Sequence, residues 1–454
     1  MIKFDVNISL EKTTGKIRKI NGGNLGPSMT TSYHATGNTE AEFTALNSPL
    51  TRLHDAPYTN PGRRLVDIPQ IFSNMDADPE DPASYYFNET DDYIQTILDC
   101  GSKVMYRLGV SIEHGKKRYH LGRPKDVKKY AAICANIIRH MNYGKWNGHH
   151  FGIEYWEIWN EPENWDWKNK EKHMPKQWDG TLEEFNKFYC ELASILKAES
   201  PELKIGGPSH GAPMKNGKEF LDYCKAHNAP LDFYSYHLYS DSVEKHRDLV
   251  FDVRRMLDEA GYPETESHLN EWHYHPTWSD EYWFNMTLAE QRVFQSEYYE
   301  NTKGLDSAAM ICSVLTAWQD APLDMGGYYI TCDSNAYGIF TGVNVPTPSY
   351  YGLKAFGDIV RYPERFRCEA AAPVYALAGK DENGCCAALI SSYRAGTGSG
   401  EITVNFDRPV EISQVELLDE KHDLEKIYFE QEDQKIRLAY NGNSGVFLIK
   451  FKTK

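Results

Sequence analysis

The strongest constraint in this chain is an alternation. A short apolar or aromatic run is followed by a helical stripe, and the pair recurs about eight times between positions 20 and 360. The runs are Thr51 to His54, Lys103 to Leu108, Glu154 to Trp159, Leu203 to Gly206, Leu231 to Tyr236, Ser267 to Glu271 and Ala308 to Thr316, with a shorter segment near Gly23 to Met29 ahead of them. Between them, DVKKYAAICANIIRHM sets Tyr130, Ile133, Ile137 and Met141 at three- and four-residue steps. A second stripe carries Leu182, Phe185, Leu192 and Ile195, and a third, VEKHRDLVFDVRRMLDEAGY, stops at Gly261 with Pro263 just beyond. Strand-helix alternation predicts α/β structure with a parallel sheet. Units of this length suit a closed (β/α)8 TIM barrel over residues 20–360.

After about Pro363 the helical period gives way to short alternating strands, with Asn383-Gly384 and Asn441-Gly442 as hairpin-type turns. Residues 361–454 are therefore expected to form an accessory antiparallel β-sandwich domain. The opening run IKFDVNIS has no helix behind it, so residues 1–19 are expected to add a strand to that domain.

Composition narrows the partners. Across 454 residues, 49 Lys+Arg against 65 Asp+Glu leave a net charge of −16, which repels phosphate backbones and argues against nucleic acid. No apolar window is long enough to span a membrane, and the first residues lack the apolar core of a secretory signal. A cytoplasmic location is the expectation. The nine cysteines are scattered, only Cys385 and Cys386 being adjacent, so neither a disulfide framework nor a zinc ribbon is encoded. Free thiols are expected, with no cofactor and no metal; assembly into a homo-oligomer is left open. The negative charge suits a neutral or cationic ligand, and aromatic residues reach 13 %, more than a core alone requires.

In a (β/α)8 barrel, chemistry sits at the C-terminal ends of the strands. Those ends present Arg52 and His54 in TRLHDAP, Asn160 and Glu161 in IWNEPEN, and His237 and Tyr239 in YSYHLY. Further on they present Glu271 in HLNEWHYHP, and Trp318, Gln319 and Asp320 in LTAWQD. Burying such residues without partners is costly, so stability alone does not ask for them. Glu161 and Glu271 are 110 residues apart, close to three βα units of about 35 residues each, which would set them across the mouth from one another. Two facing carboxyls meet the needs of glycoside hydrolysis: one protonated to assist the leaving oxygen, one ionised to attack the anomeric carbon. Trp165, Trp167, Trp272, Tyr274, Trp278 and above all Trp318 are candidate sugar platforms. Asn-Glu-Pro alone is a common tripeptide, and Glu157, Glu163 and Glu266 are nearby carboxylates that could simply be solvated. Two rival readings use the same residues: a metal-dependent barrel hydrolase with Glu271, His273 and His275 as ligands, and a barrel that binds sugar without cutting it.

EIWNEPENW, then DFYSYHLY, then HLNEW resemble the retaining glycosidases of clan A, and most closely glycoside hydrolase family 39, the β-xylosidase and α-L-iduronidase family. The stretch RHMNYGKWNGHHFGIEYWEIWNEPEN is similar to the segment that leads into that family's acid/base glutamate. The likeness runs from about Asn21 to Tyr351, and a trailing β-sandwich is typical of the family. The resemblance implies that Glu161 is the acid/base and Glu271 the nucleophile. It also implies that Asn160 holds a sugar 2-hydroxyl, that Arg52 and His54 line the glycone pocket, and that His237 and Tyr239 contact substrate or orient the carboxylates. Asn270 departs from the Thr or Ser that many relatives carry before the nucleophile. The expected partner is an oligosaccharide or glycoside, β-xylosides first, with arabinosides, galactosides or uronides as alternatives, cleaved from the chain end with retention.

Overall fold

The computed structural model describes residues 2–28, 37–55, 65–112, 123–163, 177–276, 288–332, 336–396 and 398–454. It begins with strand β1 (Ile2–Lys16). A closed parallel barrel follows, built from β2 (Asn21–Asn24), β3 (Leu50–Leu53), β4 (Lys103–Leu108), β5 (Tyr155–Ile158), β6 (Lys204–His210), β7 (Phe233–Tyr239), β8 (Glu266–His273) and β9 (Met325–Tyr328). The ring shuts where β2 meets β9, with Asn21 opposite Gly326 and Gly23 opposite Tyr328. Glycines make that seam possible: a Cβ at Gly22 would stand 2.6 Å from the Gly326 carbonyl, and one at Gly327 would stand 2.5 Å from the Asn270 carbonyl.

The helices that surround the ring form where the stripes predict them, and their ends have identifiable causes. Asp126 accepts the Lys129 N–H to open Val127–Tyr143, and Gly144, left-handed at φ 73°, closes it. Thr181 and Glu184 form a reciprocal capping box at the head of Leu182–Glu199. Ser242 caps Val243–Glu259, and Gly261 follows at φ 85°.

One barrel strand differs from expectation. Ala308 to Thr316 is helical, part of Leu305–Ala317, and the eighth strand is β9 further on. AAMICSVLT is apolar on every side and so shows no period; such a run can be a buried strand or a helix buried all round. Here it is the helix, enclosed between the barrel and the C-terminal sheet, where Ser313 Oγ meets Ser391 Oγ at 2.8 Å. The true strand reads MGGY and carries almost no strand signal.

The C-terminal strands are β10 (Glu364–Glu369), β11 (Val374–Lys380), β12 (Cys386–Ser392), β13 (Ser399–Phe406), β14 (Val410–Asp419), β15 (His422–Lys426), β16 (Gln431–Glu432), β17 (Lys435–Asn441) and β18 (Gly445–Thr453). With β1 they make one ten-stranded sheet in the order β15-β14-β18-β12-β11-β10-β1-β13-β17-β16. The sheet curls on itself. Phe406 of β13 packs on Phe451 of β18 at 5.0 Å although five strand positions separate them. The inner face holds Val6, Ile8, Ile390, Val404, Val415 and Ile449 in a core separate from that of the barrel. The sheet is mixed rather than purely antiparallel, because β1 enters between β10 and β13 and runs parallel to β13, Ile2 opposite Gly400 and Ile8 opposite Phe406.

Candidate active site

The floor of the barrel mouth is organised by one guanidinium. Arg52, at the end of β3 and 2 % exposed, directs its N–H groups at five different side chains. Nε donates to Glu157 Oε2 at 2.6 Å, Nη1 to Glu271 Oε1 at 2.7 Å and Asn24 Oδ1 at 3.2 Å, and Nη2 to Asn160 Oδ1 at 2.6 Å and Ser209 Oγ at 2.9 Å. These partners come from the ends of β2, β5, β6 and β8. Burial works against the charge of Arg52, but Glu157 and Glu271 outweigh it and hold the group protonated.

Glu157 is the anchor opposite Arg52. It is fully buried and also accepts from Ser209 Oγ at 2.7 Å and Asn270 Nδ2 at 2.5 Å. Burial opposes its ionisation, yet the Arg52 charge and the Ser209 and Ser235 hydroxyls more than compensate, so its carboxyl sits below the usual range. From sequence alone Glu157 looks incidental. Its signal was a carboxylate inside the apolar run YWEIW, which has to find a buried cation.

Glu161 and Glu271 face one another from β5 and β8, and His237 lies between them. His237 Nδ1 is 2.9 Å from Glu161 Oε1 and 3.4 Å from Glu271 Oε2, and one oxygen of each carboxylate lies with that nitrogen in a group spanning no more than 4.8 Å. Burial disfavours a charge on His237, but Glu271 and Glu161 outweigh it and lift its pKa above the ordinary value. Tyr239 OH donates to Glu271 Oε2 at 2.7 Å. Burial and the charge of Glu271 push that phenol well above its usual range, so it keeps the proton it donates. Burial raises the Glu271 carboxyl, with His237 and Arg52 pulling it down and Glu161 adding to the rise. Two carboxyls this close hold one proton between them more readily than none. Arg52 and Tyr239 give Glu271 a donor on each oxygen.

Local backbone places these groups. β8 carries a bulge against β7: Tyr236 pairs with Leu269 but His237 pairs with Glu271, leaving Asn270 as the extra residue. The bulge turns Asn270 and Glu271 inward together, Asn270 to Glu157 and Glu271 to Arg52. After β5 the chain is left-handed at Trp159 (φ 73°) and Glu161 (φ 41°), which sends the Trp159 ring outward onto Trp178 and Phe188 and leaves Asn160 and Glu161 at the mouth. Asn160 Nδ2 is fixed in turn by Gln177 Oε1 at 2.9 Å. His54 lies beside the nucleophile candidate, its Nε2 at 4.0 Å from Glu271 Oε1 and 3.5 Å from Asp55 Oδ2.

Glu163, which looks like a solvated carboxylate in sequence, is a further buried carboxyl close to Glu161. Its Oε1 accepts the Ala212 N–H at 3.0 Å while Oε2 is buried without a hydrogen bond. Burial and the nearby Glu161 push it up to about 7.

The indole platforms are not where the sequence suggested. Trp318 is completely buried in the turn after Leu305–Ala317, with its Nε1–H donating to the His246 carbonyl at 3.1 Å and its ring 5.0 Å from Trp272. It misses the mouth because its segment is a helix behind the barrel wall. Gln319 holds the Arg18 backbone, and Asp320 pairs with Arg365. Trp272 follows the inward Glu271 and points out of the barrel by strand alternation. The Tyr274 hydroxyl accepts from Arg394 Nη2 of the sheet domain. Trp165, Trp167 and Trp278 lie outside the described residues. Tyrosines take the place of tryptophans near Glu271: the rings of Tyr239, Tyr329 and Tyr337 pack edge-on at 5.7–6.4 Å, and Tyr329 OH donates to Asp55. His273 turns away from Glu271, with its Nδ1–H on the Tyr274 carbonyl at 2.5 Å, and burial pushes it down to about 3.

Fold and site together define a (β/α)8 barrel with two facing glutamates locked into a buried polar network at its C-terminal mouth. Within that class, the chain belongs to glycosyl hydrolases family 39, whose sequence model matches residues 64–331. A β-xylosidase of Caldicellulosiruptor saccharolyticus is 27 % identical over 223 residues, 44 % of this chain and 43 % of that one. A β-xylosidase of Geobacillus stearothermophilus is 25 % identical over 194 residues, 39 % of this chain and 35 % of that one. The matched segment thus spans less than half of either relative. Among solved structures, a glucosidase from Croceicoccus marinus superposes over the whole of both chains with a TM-score of 0.75 at 20 % identity, which shows a shared fold.

Proposed function

We propose that the protein is a retaining glycoside hydrolase acting on β-xyloside-like linkages at the ends of short oligosaccharides. The observation that carries the reading is the placement of Glu161 and Glu271, with an oxygen of each in a group no more than 4.8 Å across. Retaining enzymes hold their carboxyl groups about 5–5.5 Å apart, whereas inverting enzymes leave room for a water at about 6.5–9.5 Å. In this mechanism protonated Glu161 gives its proton to the leaving oxygen while Glu271 attacks the anomeric carbon and forms a glycosyl ester. The leaving group departs as the alcohol. Glu161, now ionised, takes a proton from water as the water attacks the ester, and free sugar and both carboxyls return to their starting state. Arg52 and Tyr239 orient the Glu271 oxygens, and His237 holds the two carboxylates in register.

Xylosides come first because both sequence relatives are described as β-xylosidases. Arg52 has all its N–H groups engaged by the protein, so it has none to offer a uronate, which favours a neutral sugar. The nine free cysteines suit a reducing compartment, in keeping with short, imported substrates.

A panel of aryl glycosides followed by NMR tests the reading. Aryl β-xylosides should be cleaved with the β-anomer of the sugar appearing first, and a first-formed α-anomer would overturn the mechanism. Glu271→Ala should abolish turnover on every substrate. Glu161→Ala should spare the first step only for acidic phenols, with azide rescue giving a β-glycosyl azide; an α-azide from the Glu161 variant would mean that the roles are exchanged.

A further inference from the structure

Away from the barrel mouth, three side chains of the outer layer converge. Asp91 lies in the first turn of helix Asn88–Asp99, His140 in the last turn of Val127–Tyr143, and His149 just past the turn that follows it. Asp91 Oδ2 is 3.0 Å from His140 Nε2 and 3.2 Å from His149 Nε2, and the three donor atoms lie within 4.8 Å of one another. Bonds of 2.0–2.1 Å in a tetrahedral site put neighbouring ligand atoms about 3.3 Å apart, which both distances approach.

A backbone carbonyl fixes the tautomer of His140. Its Nδ1 is 3.0 Å from the Lys145 carbonyl, and a carbonyl only accepts, so Nδ1 carries a hydrogen. In a neutral ring, Nε2 then turns a lone pair toward a carboxylate oxygen. Nε2 and Asp91 Oδ2 therefore face one another across 3.0 Å as two potential ligand atoms. The Nδ1–H tie to a backbone carbonyl is the support that metal-binding histidines use to fix their tautomer.

Both rings are held in place. Phe87 stacks on His140 with centroids 3.7 Å apart and planes 6° from parallel, and Phe151 stacks on His149 at 4.2 Å and 7°. The intervening turn is left-handed at Gly144, Trp146 and Asn147, and it returns the His149 N–H to the His140 carbonyl at 2.7 Å. His149 is 36 % exposed, which leaves an entry path.

We propose that Asp91, His140 and His149 bind one divalent transition-metal ion of the zinc class, a site apart from the catalytic carboxylates. The ion would brace the turn 144–149 against the two helices. One carboxylate and two imidazoles suit zinc better than calcium or magnesium, which prefer all-oxygen shells.

Calorimetric titration of Zn2+ into the full-length protein, stripped with EDTA and dialysed, tests this. One ion per chain should bind, and the melting temperature should rise with it. His149→Ala and Asp91→Asn should weaken that binding at least tenfold while keeping the native circular dichroism, either variant sufficing if the other fails to fold. Glu161, His237 and Glu271 also bring donor atoms together, so Glu271→Gln is the control and should bind Zn2+ as the parent does. Loss of binding in Glu271→Gln with retention in His149→Ala would move the ion to the barrel mouth and overturn the proposal. Absence of Zn2+ binding to the parent protein would overturn it too, leaving an imidazolium-carboxylate pair.

Discussion

At the scale of the residue, the site depends on Arg52 more than on either glutamate. Removing one partner of a buried ion pair leaves the other charge unpaired, at a cost of about 3–5 kcal/mol. Arg52→Met strands Glu157 and Glu271 together and leaves Asn24, Asn160 and Ser209 without their donor. The variant should therefore lose about that much stability in urea unfolding as well as its activity; an unchanged midpoint would show that the network is not bearing on the fold. Glu163 is a subtler case. Ionised above about 7 and close to Glu161, it works against a second negative charge there, the proposed acid/base position. Glu163→Gln removes that charge, so the alkaline limb of the kcat/KM profile should move to lower pH while the acid limb stays. A shift of the limb toward higher pH would contradict the placement.

At the scale of the element, β5, β6 and β8 are tied together at the opposite end of the barrel from the mouth. Glu266, the first residue of β8, pairs with Lys204 of β6, accepts from Tyr155 OH of β5 at 3.0 Å, and lies 2.9 Å from His268 Nε2. Burial opposes ionisation there, but His268 and Lys204 outweigh it and bring the carboxyl down to about 2. A depressed carboxyl stabilises the fold above its unfolded pKa and stops doing so as pH falls through its folded value. The Glu266 contribution should thus be complete at pH 6 and fade between about pH 4.5 and about 2. Thermal melts of the parent and Glu266→Gln should differ at pH 6 and converge near pH 2; a gap that widens on acidification would refute the assignment. The bulge in β8 is the other element-level device. One extra residue, Asn270, lets two consecutive side chains enter the barrel where strict alternation allows one.

At the scale of the whole molecule, the sheet domain grips the barrel beside β8. Arg394, just after β12, reaches Asp241 Oδ2 at 2.7 Å, Asp306 Oδ2 at 3.1 Å and Tyr274 OH at 2.6 Å. Tyr274 stands three residues beyond Glu271, so the contact bears on the strand that carries the nucleophile candidate. Tyr393 OH and Ser444 Oγ add bonds to Asp241 and Asp306. Arg394→Ala should lower the melting temperature and reduce kcat more than it raises KM, because the loss acts on the placement of Glu271 rather than on sugar contacts. A change confined to KM would mean that the contact serves the substrate pocket instead.

The sequence by itself determined the barrel and the accessory sheet, and it placed Glu161 and Glu271 at the ends of facing strands. Each rests on local pattern: helical stripes with caps, short apolar runs, and polar residues placed where a strand should end. Arg52, His54, Asn160, His237 and Tyr239 were legible for the same reason, as polar side chains at strand ends that burial would penalise without partners. The eighth strand was not legible, because MGGY has neither period nor bulk, while the all-apolar helix before it imitates a buried strand and drew Trp318 into the site. Only the tertiary structure could show which carboxylate anchors Arg52. Glu157 and Glu163 look alike in sequence as neighbours of Glu161, and they separate through groups brought in from other strands. The parallel entry of β1 between β10 and β13 was likewise decided by the whole fold, since hydrogen-bond partners 400 residues apart leave no trace in either segment alone.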